Sequence, residues 1–323
     1  MTWLVTGGAG YIGLHVVRAL RAGGQDAVVL DDLSSGRAEL VDVPLVRGSV
    51  HDADLLRATM RDHDVRGVIH LAAKKQVGES VDRPLYYYRE NVSGLMTLLE
   101  VMGECGVDVL VFSSSAAVYG MPDVEFVTEE TPTTPLSPYG ETKLVGEWLT
   151  RDAAVASGVR YALLRYFNVA GAAVPELSDT GVANLIPMVF QRLSAGQRPL
   201  LFGDDYPTPD GSCVRDFIHV ADLAEAHVAA LTHLTGGGGN LLLNVGRGEG
   251  SSVREVLDVV GSVTGLPTDP EVRPRRAGDP ARVVASNTAI RSALGWEARH
   301  DLRDMVTSAW AGWQKNAPGN GAA

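Results

Sequence analysis

Short apolar runs alternate with amphipathic stretches through the first half of the chain. Thr2-Trp-Leu-Val-Thr6 is a continuous apolar run of the kind carried by a strand buried on both faces, and Ile12, Val16, Val17 and Leu20 follow it at helical spacing. Ala27-Val-Val-Leu30, Pro44-Leu-Val46, Gly67-Val-Ile-His70, Val109-Leu-Val-Phe112 and Tyr161-Ala-Leu-Leu164 continue the series. Helices are expected between them over roughly 52–62, 84–104 and 138–157. This alternation predicts an α/β protein with a doubly wound parallel sheet. After about residue 170 the pattern changes: Ala172 to Asp179 reads as loop, Tyr206-Pro-Thr-Pro-Asp-Gly211 as a turn cluster and Gly236-Gly-Gly-Gly239 as a flexible connection. A smaller α/β lobe is expected there. The chain divides into residues 1–168, a lobe over 169–315 and a flexible tail over 316–323. Within the lobe, Arg215 to Asp222 leads into a further helix, and Leu241-Leu-Leu-Asn244 reads as a strand returning to the first sheet.

Gly7-Gly-Ala-Gly10-Tyr-Ile-Gly13 stands between the first strand and the first helix. Glycines in that place allow a tight turn and let backbone amides approach a pyrophosphate at the positive end of the helix dipole. Asp31, at the end of the second strand, stands where such folds bind ribose hydroxyls with an acid. The first domain therefore reads as Rossmann-like. A carboxylate at Asp31 repels a 2′-phosphate and favours NAD over NADP, while Arg37 nearby is the one residue that argues the other way.

Tyr139 and Lys143 stand four residues apart in Ser137-Pro-Tyr-Gly-Glu-Thr-Lys143. Pro138 suits the first turn of a helix, so the phenol and the ammonium share one face. A phenol of pKa about 10 is a poor base near neutrality, and a cation beside it is expected to stabilise the phenolate and lower that value. Ser113-Ser-Ser115, at the end of a predicted strand, adds a hydroxyl able to pass a proton between a substrate oxygen and Tyr139. Each feature alone has a plainer explanation, since the Tyr–Lys spacing recurs in amphipathic helices and serine runs make turns. Their order behind a nucleotide-binding turn makes them candidates.

Composition narrows the partners. The 323 residues are 45% hydrophobic and 21% charged, with a formal charge of −11. Such an acidic chain leaves little room for the basic face that a nucleic acid or an anionic membrane surface requires. No segment reaches the run of about 18 apolar residues that a membrane span needs, and no signal peptide is expected. Cys105 and Cys213 make no disulfide framework, and without CxxC or histidine clusters no metal site is expected. The cytoplasm is the expected compartment, so the triplet Asn91-Val-Ser93 is not read as a glycosylation site.

Eight motifs in order resemble the extended short-chain dehydrogenase/reductase superfamily and, within it, the UDP-glucose 4-epimerase family. They are Thr6 to Gly13, His70 to Ser80, Ser113 to Gly120, the Tyr139 and Lys143 pair, Leu164 to Asn168, Asn184 to Pro187, Val214 to Val220, and Arg273 to Asp279. The resemblance implies reversible 4-epimerisation of UDP-glucose and UDP-galactose through a transient 4-keto sugar, with tightly bound NAD and a homodimer joined through helices. It implies Ser115, Tyr139 and Lys143 as catalytic residues. For the cofactor it implies Gly7, Gly10, Tyr11, Ile12, Gly13, Asp31, Ser35, Lys75, Asn91 and Tyr166 together with Tyr139 and Lys143. For the UDP-sugar it implies Asn168, Asn184, Leu185, Phe202, Arg215, Arg276 and Asp279 beside Ser115 and Tyr139. Physical expectation agrees: two phosphates inside an acidic protein call for arginine forks, and Phe202 offers a ring for uracil. The plainer alternatives are an Arg215–Asp216 ion pair and Phe202 as core.

Two positions depart from the family pattern. Ser49 stands where an Asp usually meets the adenine amino group, and Val283 stands near the place of a bulky Tyr in epimerases restricted to non-acetylated sugars. A smaller residue there leaves room for an N-acetyl group. Rival readings are a 4-epimerase of UDP-glucuronate or UDP-pentoses, a nucleotide-sugar decarboxylase, a dehydratase and a non-catalytic NAD-binding regulator. The dehydratase reading lacks its acidic pair, because Ala116 and Ala117 follow Ser115.

Overall fold

The computed structural model describes residues 1–276 and 278–316. The first six strands are β1 (Thr2–Thr6), β2 (Asp26–Asp31), β3 (Leu45–Arg47), β4 (Val65–His70), β5 (Val109–Ser115) and β6 (Arg160–Tyr166). Between them lie α1 (Tyr11–Ala22), α2 (Ala53–Asp62), α3 (Val77–Asp82), α4 (Pro84–Tyr87), α5 (Gly94–Cys105) and α6 (Pro138–Ser157). The helix expected over 84–104 is interrupted by a π turn at Tyr88–Ser93. After β6 come β7 (Asn168–Ala170), α7 (Leu185–Ser194), β8 (Leu200–Phe202), β9 (Val214–His219), α8 (Val220–Thr235) and β10 (Leu241–Val245). The last elements are β11 (Gly250–Ser252), α9 (Val253–Thr264), β12 (Glu271–Arg273), β13 (Arg282–Val283), α10 (Thr288–Leu294) and α11 (Leu302–Asn316). Asn316 is helical and donates to the Pro175 carbonyl and to Ser178; the rest of the expected tail, 317–323, lies outside the described residues.

The seven-stranded sheet runs β10-β6-β5-β4-β1-β2-β3. Neighbouring strands from β3 to β5 are parallel. Strand order reverses at β1, between β2 and β4, which opens a crevice at their carboxyl ends where open α/β sheets take ligands. β1 is buried along nearly its whole length, as a central parallel strand covered on both faces must be. One core, with Leu4, Val28, Leu30, Leu98, Leu110 and Leu163, packs the helices on this sheet. A second holds Ile186, Phe190, Phe217, Leu257 and Met305.

The chain forms two compact units. The first comprises Met1–Gly120, Thr133–Arg165 and Ala224–Leu243; the second comprises Met121–Pro132, Tyr166–Leu223 and the chain from Asn244 onward. In the second, β9 pairs antiparallel with β11 and parallel with β13 and β7, and β8 pairs with β12. Among the described residues no helix is long and apolar enough to cross a membrane.

Candidate active site

The glycine turn is built so closely that side chains are excluded. Gly7 has φ +70°, and a Cβ there would stand 2.7 Å from the Ala72 nitrogen beyond β4. A Cβ on Gly13 would stand 2.3 Å from the Gly7 carbonyl oxygen. Gly10 caps α1 without a side-chain hydrogen bond, and the first turn carries no acid. The helix thus begins with orphan amides and an unneutralised positive dipole end, a donor set suited to a pyrophosphate. Asp31 closes the turn from β2: its Oδ2 accepts from the Ala9 amide at 3.0 Å and its Oδ1 from the Leu33 amide at 2.8 Å. Burial pushes the Asp31 carboxyl up, while those two amides pull it down.

Tyr11 and Ile12 open α1, both half-buried, and Ser35 is exposed on the loop after β2. Lys75 is exposed as well. Its neighbour Lys74, which sequence reasoning passed over, donates to Ser34 Oγ at 2.8 Å and lies 3.7 Å from Asp32. Asn91, buried in the π turn, accepts from the Lys74 amide at 2.8 Å and donates at 3.0 Å to both the Lys74 carbonyl and Thr142 Oγ1. Its amide braces the loop after β4 against α6. Ser49 Oγ accepts from the His51 amide at 3.2 Å.

Ser137 caps α6, its hydroxyl accepting from the Gly140 amide, with Pro138 in the first turn. That start sets Tyr139 and Lys143 on one buried face, 7% and 3% exposed. Lys143 Nζ donates to the Ser113 carbonyl at 2.8 Å, and the Tyr139 phenol is hydrogen-bonded to Ser115. Burial holds the Lys143 ammonium down to about 8. The expected depression of the tyrosine does not occur in the protein alone: burial pushes Tyr139 above its ordinary value, and only the Ser115 hydrogen bond opposes it. Desolvating a phenolate outweighs that one hydrogen bond, and Lys143 is not among the groups that lower the phenol. His70, joined to Thr6 Oγ1 at 2.8 Å, is held neutral at about 3 by burial and then by Lys143.

The second unit contains a cavity of about 250 Å³ lined by Asn168, Asn184, Leu185, Phe202, Arg215, Arg276 and Asp279, together with Arg192. These are the seven residues expected for the nucleotide sugar. The volume falls short of the roughly 300–1,000 Å³ of ordinary small-molecule pockets, so it suits part of such a ligand. Arg215 Nη2 donates to Asp279 at 2.8 Å; the alternative partner Asp216 instead accepts from the amides of Arg247, Gly248 and Ala285. The Arg276 guanidinium lies 3.8 Å above the Phe202 ring centroid. Asn184 donates to Asp179 and precedes α7, whose amino end has no side-chain cap and no acid in its first turn. Asn168 donates to the Asp216 carbonyl at 3.0 Å. Val283 is buried on β13, in register with Arg215 of β9, and Tyr166 is half-buried at the end of β6. Among the described residues no group of three or more side chains is arranged to hold a metal ion.

Comparison with known proteins gives concordant matches. Residues 3–246 match the model of the NAD dependent epimerase/dehydratase family. The chain is 48% identical over 321 residues to a UDP-glucose 4-epimerase of Azospirillum brasilense, covering 97% of this chain and 92% of that one. It is similar, with a TM-score of 0.93 and 41% identity, to the Brucella ovis UDP-glucose 4-epimerase solved with NAD, covering 96% of this chain and 98% of that one. The Bifidobacterium longum UDP-glucose 4-epimerase solved with NAD+ and UDP superposes with a TM-score of 0.91 and 38% identity over 100% of both chains.

Proposed function

The chain belongs to the NAD dependent epimerase/dehydratase family, and from that premise we infer that it interconverts UDP-glucose and UDP-galactose by inverting carbon 4, with NAD as its resident cofactor. The observation that carries this reading is the buried face of α6, where Tyr139 and Lys143 meet Ser115 and the Ser113 carbonyl in the unit that also builds the glycine turn. The turn fits the cofactor, since its close packing and orphan amides leave backbone donors for a pyrophosphate. Gly7, Gly10, Tyr11, Ile12 and Gly13 would hold that group and Asp31 the ribose hydroxyls, with Ser35, Lys75, Asn91 and Tyr166 as further contacts.

When bound, NAD supplies the carrier for the carbon 4 hydride and a positively charged ring. Tyr139 takes the proton of the 4-hydroxyl and later returns it, Ser115 relays it, and Lys143 favours the phenolate. The 4-keto hexose must present both faces in turn, so anchoring belongs on the uridine diphosphate. Arg215 and Arg276 offer planar forks to the two phosphates, Phe202 a face to uracil, and Asn168, Asn184, Leu185 and Asp279 the surrounding contacts. Water elimination has no acid at Ala116 or Ala117 to serve it.

The test is to incubate the purified protein with UDP-galactose, without reductant, and to assay UDP-glucose. Product should form, UDP alone should compete with substrate, and failure of both ends the reading. The same assay with UDP-N-acetylglucosamine examines Val283: turnover is expected, and its absence means that the site is closed to the acetyl group. Residence in the cytoplasm, a place in galactose metabolism and a homodimer belong to the same reading. Leu85, Met96, Trp148 and Val155, apolar and exposed on α4, α5 and α6, support the dimer. Sedimentation should give about twice the 34.3 kDa chain mass, and a monomer would overturn that part.

A further inference from the structure

Tyr139, Lys143 and Glu147 follow one another at intervals of four on α6, so they occupy successive turns of one face. Each addresses one residue of the serine run that ends β5. Lys143 donates to the Ser113 carbonyl, Glu147 Oε1 accepts from Ser114 Oγ at 2.6 Å, and Tyr139 is bonded to Ser115. Glu147, fully buried, is in turn gripped by Arg165 of the adjacent strand β6, with Nε to Oε1 at 2.8 Å and Nη2 to Oε2 at 2.6 Å. Arg165 Nη1 reaches the buried Tyr119 hydroxyl at 2.9 Å, and Arg151 approaches Glu147 from the next turn at 3.7 Å.

A buried ion pair is a poor way to stabilise a core, because desolvation consumes most of the attraction and apolar side chains of the same volume do as well. What it supplies is direction. Bidentate hydrogen bonds fix rotation and axial position, which packing by methyl groups leaves soft. The proton-transfer chemistry assigned to this face depends on such placement, and a misplacement of about 1 Å can cost on the order of a hundredfold in rate.

We propose that Glu147 and Arg165 are positioning residues for the reaction: their buried fork, acting through Ser114, sets the rotation of α6 against β5 so that Tyr139 and Lys143 meet Ser113 and Ser115 correctly. The proposal rests on the functional reading above. It assigns a role to two charged groups that the resemblance does not count among the site residues.

The experiment compares the NAD-containing enzyme with Ser114→Ala and with the double variant Glu147→Met/Arg165→Met. The first removes one hydrogen bond; the second removes both buried charges together and leaves only the partly exposed Arg151 without its carboxylate. On UDP-galactose, kcat should fall about tenfold in the first and about a hundredfold in the second, with KM and NAD content within about twofold of wild type. The acid limb of the kcat profile should move to higher pH, because a loosened Lys143 stabilises the phenolate less. The groups facing the Tyr139–Lys143 pair are Ser115 and Ser113 of β5, His70 of β4 and Tyr87 of α4, none of which is altered. A folded double variant with kcat within twofold and an unmoved acid limb shows the pair to be packing only. If the double variant does not fold, Ser114→Ala decides by the same two readings. A matched rise in KM with no pH shift also overturns the idea. Wild type assayed alongside separates the two failures: no product from wild type condemns the functional reading, whereas active wild type with unaltered variants condemns this one.

Discussion

Tyr139→Phe is expected to lower kcat for UDP-galactose by about a hundred- to ten-thousandfold, the usual contribution of a positioned general base. That range corresponds to about 2.7–5.5 kcal/mol of barrier. The substitution removes one oxygen from a side chain that is only 7% exposed and keeps the ring that packs there, so folding and NAD content should be unchanged. KM should change little, since the uridine diphosphate half is assigned to other residues. The measurement is kcat, KM and bound NAD on the same preparation. A variant within tenfold of wild-type kcat would remove Tyr139 from the mechanism, and a variant that loses NAD would leave it only the cofactor contact that the resemblance implies.

Gly13→Ala should separate cofactor from protein. A Cβ there meets the Gly7 carbonyl oxygen at 2.3 Å and the Gly8 Cα at 2.6 Å, both backbone atoms with no rotamer to escape into. The turn must shift, at a cost of about 1–3 kcal/mol for overpacking of this kind, equivalent to roughly five- to 150-fold in NAD affinity. Gly103→Ala on α5 is the control, because nothing lies within 4 Å of its added carbon. NAD retained after gel filtration, followed by titration of the stripped protein, reads the effect. Equal affinity in the two variants would show that the close packing at Gly13 is irrelevant to cofactor binding.

Much of the parallel sheet was legible because its strands are buried on both faces and therefore read as continuous apolar runs. Apart from β3, which shows in Pro44-Leu-Val46, the strands of two or three residues, β7, β8, β11, β12 and β13, are too short to show a period. The π turn at Tyr88–Ser93 was illegible for another reason: its residues fit ordinary helical spacing, and only the bracing by Asn91 distinguishes it. Around the site, the glycines and the Tyr–Lys interval were readable since their chemistry depends on local spacing. Glu147 had the same interval to recommend it, a carboxylate four residues past Lys143 on a face that turns inward, and was passed over. Arg165 and Thr142 gave no such signal, as their partners come from distant segments. The direction of the Tyr139 shift was misjudged because desolvation depends on burial, which spacing does not report.

The carboxylate of Asp31 carries a consequence for redesign. One of its oxygens is tied to the backbone of the glycine turn at Ala9 and the other to Leu33, so the side chain is a structural knot as well as a ligand candidate. Exchanging it to recruit a phosphorylated coenzyme would loosen the loop that must grip either form. A change of coenzyme preference is better begun at solvent-facing Ser35, leaving the knot tied.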